Sequence, residues 1–64
     1  LNEDVMDIKK HLHTLEFKYQ EVINALFFEG MTQQEASEEL SVPLGTIKSR
    51  LKIALRELKK IYNP

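Results

Sequence analysis

Sixty-four residues leave room for one domain with a small core, and the absence of cysteine excludes a disulfide framework and a thiolate metal site. No apolar run approaches a membrane span and no signal peptide opens the chain, as expected of a cytoplasmic protein, and a large buried active site does not fit a chain of this size. The formal net charge of −1 conceals a division: Leu1–Leu40 carries Lys9, Lys10 and Lys18 against nine acids, whereas from Ser41 onward Lys48, Arg50, Lys52, Arg56, Lys59 and Lys60 face Glu57 alone. Such asymmetry is the footprint of a phosphate-binding surface, and also of an ordinary solvated helix face.

In chain order, Val5, Ile8, Leu12 and Leu15 recur at helical spacing and predict an amphipathic helix over about 3–14. His11 and His13 stand near its end, two residues apart and so on different faces, which makes them a poor metal pair. A second helix is predicted over about 16–29, with Tyr19, Val22, Ile23, Leu26 and Phe27 on one stripe and Gly30 as the left-handed residue that ends it. Phe28 lies off that stripe, packed under a neighbouring helix or offered as a stacking platform. Thr32-Gln33-Gln34-Glu35 reads as a capping box that opens a third helix, about 32–40. Pro43 cannot donate to a helical ladder but suits the first turn of a helix, so a fourth helix starts at or just after it and runs over about 44–61. Helix, three-residue turn, helix is the arrangement whose second member lies in a DNA major groove.

The turn position at Ser41 calls for a positive φ, which serine adopts at a cost of about 1 kcal/mol. Ala36, Leu40, Val42 and Ile47 occupy the positions that clamp the two helices together. On the last helix, placed at steps of about 100°, Ile47, Leu51, Ala54, Leu55, Leu58 and Tyr62 form the core stripe. Ser49, Ile53, Arg56 and Lys60 fall opposite, flanked by Lys48 and Lys52 on one side and Arg50 on the other. Gly45 weakens the first turn, and either close approach to a phosphate or a tight helix crossing would explain it.

The residues Glu29-Gly30-Met31-Thr32, Glu35, Pro43-Leu44-Gly45-Thr46-Ile47-Lys48-Ser49-Arg50-Leu51 and Ala54-Leu55 resemble region four of bacterial sigma factors, in particular the extracytoplasmic-function (ECF) group. The resemblance covers about Leu15 to Leu58. Ser37 and Ser41 depart from it, where Ala and Gly are common. It implies base-reading positions at Lys48, Ser49, Lys52 and Ile53, and phosphate or structural roles for Thr46 and Arg50; Arg56 shares the basic face. Ile53 stands where many relatives carry arginine. The implied partners are double-stranded promoter DNA at the minus-35 element, the β flap of RNA polymerase, and an anti-sigma factor. A chain starting at Leu1 rather than Met and ending at Asn63-Pro64 is expected to be an excised domain, and a sigma factor of this group needs a region two upstream.

A LuxR-type response-regulator domain shares the Glu-Gly-hydrophobic-Thr opening and the Thr-Ile-Lys, and would have the same fold. A sigma-like module that binds only proteins, such as an anti-sigma factor, is the alternative from another class, supported by an exposed Ile53 and the acidic first half. No nucleophile-base pair, metal set or phosphate loop supports an enzyme, and no cofactor is implied. The expectation is thus one all-α domain, 1–64, of four helices with a C-terminal helix-turn-helix, acting as the promoter-binding region of an ECF-type sigma factor.

Overall fold

The structure, a computed structural model, describes the backbone of residues 11–62 and the side chains of residues 11–60. Most of the helix expected over 3–14 lies outside the described residues; its described end is a 3-10 turn, Leu12–Thr14, closed by the Leu15 N–H on the Leu12 carbonyl at 2.9 Å. From there the chain is all-α: α1 begins at Phe17–Ile23 and continues through Asn24–Phe28, α2 spans Gln33–Leu40 and α3 spans Leu44–Tyr62.

α1 departs from the expected regular helix in its second half. Asn24–Phe28 is a π turn, in which the Glu29 N–H reaches back five residues to the Asn24 carbonyl at 2.9 Å. The Asn24 amide spans the same interval and donates to Glu29 Oε2 at 2.6 Å. In an α-helix residues four apart share a face, but in a π turn residues five apart do. That explains a correction to the stripe: Phe27, four residues from the buried Ile23, is 54% exposed, while Phe28, five residues away, packs on the Ile23 cluster. Ala25, which the periodicity passed over, is buried. Gly30 then takes φ +73° and ends the helix as expected.

α2 starts on the expected capping box. The Glu35 N–H donates to Thr32 Oγ1 at 3.0 Å and the Thr32 N–H donates to Glu35 Oε1 at 2.8 Å, which satisfies two donors that the helix start would otherwise leave unpaired. It ends in a Schellman motif, with the Val42 N–H on the Ser37 carbonyl at 3.1 Å and the Ser41 N–H on the Glu38 carbonyl at 3.3 Å. Ser41 has φ 57° and ψ 43°, so the turn has the left-handed residue its position requires, carried by serine at a cost of about 1 kcal/mol. The Pro43 carbonyl accepts from the N–H groups of Thr46 and Ile47 at 2.9 and 3.1 Å, and α3 begins one residue after Pro43.

Two clusters make the core. Val22, Ala25, Ala36 and Ile47 join α1 to the helix-turn-helix, with Leu26, Met31, Leu40 and Val42 around them. Leu15, Ile23, Ala54 and Leu58 join the start of α1 to the second half of α3, with Leu12, Tyr19 and Phe28 around them. The adjacent Val22 and Ile23 enter different clusters, so α1 is the wedge between the two, and Leu51 packs against both.

Candidate nucleic-acid interface

The orientation of α3 decides what it can touch. Ile47, Ala54 and Leu58 are buried on its back, as the periodicity requires. Two neighbours of that stripe are exchanged relative to expectation. Leu55, expected in the core, is 42% exposed, and Ile53, expected on the open face, is half-buried. One rotation accounts for both: Arg50, Ile53 and Glu57 line the flank that turns inward, while Leu55 is carried outward on the other side. Ile53 borders a shallow groove with Leu15, Glu16, Tyr19 and Glu57, so it lies beside the start of α1 rather than at the centre of the basic front.

The outer face left by this rotation carries Lys48, Ser49, Lys52, Arg56, Lys59 and Lys60, all exposed. Of the residues proposed from the sequence, Lys48, Ser49, Lys52 and Arg56 therefore come together on one surface, and Thr46, Arg50 and Ile53 sit half-buried on its margin. Lys59, counted from the sequence only as part of the phosphate-binding charge, joins them, since it stands three and seven residues beyond Arg56 and Lys52, spacings that a helix places on the same side. Glu57, the acid of α3, accepts from Lys60 Nζ at 3.1 Å. This pair is exposed and contributes at most about 1 kcal/mol to stability, but it offsets the negative charge nearest the basic face.

Gly45 is exposed, and a Cβ built on it would meet no atom within 4 Å. The helix-crossing explanation for this glycine is thereby removed, because nothing of the protein lies close. Away from α3, a second surface is formed by α1, α2 and the 3-10 turn. Leu12, Phe17, Ala25, Met31 and Leu40 give it an apolar floor, and Glu21, Glu29 and Glu39 an acidic rim. Phe17 is 72% exposed there. Among the described residues no group of His, Cys, Asp or Glu could hold a metal ion, and no helix is long and apolar enough to cross a membrane.

A short capped helix, a left-handed turn and a long helix with a buried back and a basic front define a DNA-binding helix-turn-helix domain. The comparison with protein families agrees. The family "Sigma-70, region 4" matches residues 11–60, and the chain belongs to it: it is a sigma-factor DNA-binding domain, of a family of transcription factors rather than enzymes. No curated protein and no solved structure matches the chain significantly.

Proposed function

We propose that this domain reads the minus-35 promoter element as region four of an ECF-type sigma factor, while docking on the β flap of RNA polymerase. The observation that carries the DNA reading is the outer face of α3, where Lys48, Ser49, Lys52, Arg56 and Lys59 are exposed together while Ile47, Ala54 and Leu58 anchor its back. Lys48 and Ser49 lie in the first turns, the part of a recognition helix that reaches base edges, and can donate to guanine O6 and N7. Arg56 and Lys59, farther along, hold phosphates without reading sequence. Thr46 and Arg50, on the margin, are placed for the backbone beside the groove, and Ile53 for an apolar contact at its edge. The open space over Gly45 lets a phosphate approach the helix backbone.

The acid-rimmed surface of α1 and α2 supports the polymerase reading. It includes no residue of α3, so a protein can sit there while DNA occupies the basic face. The alternative of a module that binds only proteins, such as an anti-sigma factor, rested on an exposed Ile53 and on the acidic first half; among the described residues of α3 the exposed large apolar one is Leu55, so the first of these supports falls away. Family membership favours the sigma reading over the LuxR-type one.

Fluorescence anisotropy of a labelled duplex against salt tests the proposal. Each lysine or arginine that neutralises a phosphate releases a counterion, so four to six contacts give a slope of log K against log salt of about −4 to −5. An affinity that does not fall as salt rises overturns it.

A further inference from the structure

Ser37 and Ser41, two of the three positions at which the helix-turn-helix departs from the common residues of the family it resembles, meet in one turn, where the Ser41 N–H reaches the Ser37 carbonyl as well as that of Glu38. Ser37 Oγ donates to the Val42 carbonyl at 2.6 Å, and the Val42 N–H donates to the Ser37 carbonyl at 3.1 Å. One residue of α2 therefore holds both polar groups of the middle residue of the turn. Next to it stands Ser41, the positive-φ residue among the described residues that is not glycine. A residue with a side chain persists in that conformation only where its surroundings over-determine it.

We propose that the Ser37 hydroxyl is a positioning residue for the DNA-reading helix: by gripping Val42 it keeps Ser41 left-handed and so sets the angle at which α3 leaves the turn. The apolar contacts of α3 at Ile47, Leu51, Ala54 and Leu58 limit its depth and the range of its crossing angle, and the turn adds a directional restraint where the helix begins. Pro43 transmits the setting, since its ring restricts Val42 to extended backbone and its carbonyl caps the first turn of α3. The lever is long: Lys52 is eight residues beyond Leu44, about 12 Å along the axis, so a change of about 10° at the turn moves it about 2 Å, more than a hydrogen bond to a base edge tolerates.

Glycine at 41 would hold a positive φ without strain, so it should make the hydroxyl dispensable. The pair is tested with Ser37→Ala, Ser41→Gly and the double variant of the 64-residue chain, each at a temperature where circular dichroism shows it folded. Residual dipolar couplings of the amides of α2 and α3 read the angle directly. Ser37→Ala should reorient α3 relative to α2, and adding Ser41→Gly should restore the wild-type orientation. An unchanged angle in Ser37→Ala, with only the melting midpoint lowered, overturns the proposal, as does a failure of glycine to restore it.

The consequence for recognition rests on the DNA reading proposed above and has its own arm. On a duplex enriched from a randomised pool by the wild-type chain, Ser37→Ala should bind about tenfold more weakly, with a scrambled duplex changed by less than about twofold, and the double variant should recover. Equal losses on both duplexes overturn the link to recognition. If the wild-type chain enriches no sequence, the DNA-reading function itself fails, while the dipolar couplings still decide whether Ser37 sets the angle.

Discussion

The two halves of α3 are attached by different physics. Its first half leaves a turn in which Ser41, Val42 and Pro43 are each tied by backbone or hydroxyl hydrogen bonds, and only then buries Ile47 in the cluster of Val22, Ala25 and Ala36. Its second half is held through Ala54 and Leu58 against Leu15 and Ile23, an apolar seam without a hydrogen bond among its side chains. On the DNA reading proposed above, directional bonds are placed where Lys48 and Ser49 would meet particular atoms, and apolar packing where Arg56 and Lys59 would need only stay near a charged backbone. The division between reading and holding on the DNA side would thus mirror a division between hydrogen bonds and packing on the protein side.

The comparison breaks most completely if either seam is opened. Ile47→Ala removes a fully buried side chain and should cost about 2–5 kcal/mol, most of the stability that a domain of this size has. Leu58→Ala should cost a similar amount in urea unfolding, but amide exchange should separate them: Leu58→Ala leaves α2 protected, whereas Ile47→Ala exposes it. Equal loss of protection in α2 would mean that the clusters are not separate units.

On the DNA side, Lys48→Ala should cost about 1–3 kcal/mol on the preferred duplex and little on a scrambled one. Lys60→Ala should weaken both alike and by less, because Lys60 stands far down the helix and already pairs with Glu57. Binding titrations on the two duplexes distinguish these outcomes, and identical profiles would count against the placement of Lys48 at a base edge.

Smaller effects sharpen the contrast. Thr32→Ala removes the capping box and should lower stability by about 1 kcal/mol, with the loss seen first as fraying of α2 amides. Gly45→Ala should raise stability by up to about 1 kcal/mol, since Gly45 is in a helix with open space where a Cβ would go. The same change should weaken duplex binding. A more stable protein with undiminished affinity would show that no phosphate approaches the backbone there.

What the sequence made legible was whatever depends on neighbours along the chain. Thr32 with Glu35, Gly30, the positive φ at Ser41 and the restart after Pro43 follow from local hydrogen-bonding rules, and each is found where those rules place it. The outer basic face was legible in its main members because Lys48, Lys52 and Arg56 repeat every four residues. The exchange of Leu55 and Ile53 was not: the helical projection put Leu55 in the apolar stripe and Ile53 opposite it, and only the position of α1 decides which flank is covered. Nor was the role of Ser37: its departure from the family was visible, but its partner is a carbonyl in the turn, which no side-chain pattern reveals.

The π turn of α1 has a consequence for how this protein tolerates changes in length. A helix with one widened turn carries one residue more than its regular equivalent, and here the widening absorbs that residue, so the segment after it keeps its phase with the segment before Asn24. Excising a single residue from 24–26 would let the helix close into regular geometry with the following segment held near its present phase. Phe28 would then stand four residues from Ile23 and stay on its face, and the chain would still reach Gly30 directed at α2. The same deletion from the regular part of α1 before Asn24 has no widened turn to absorb it; it would rotate everything after it by about 100° and misalign the helix-turn-helix.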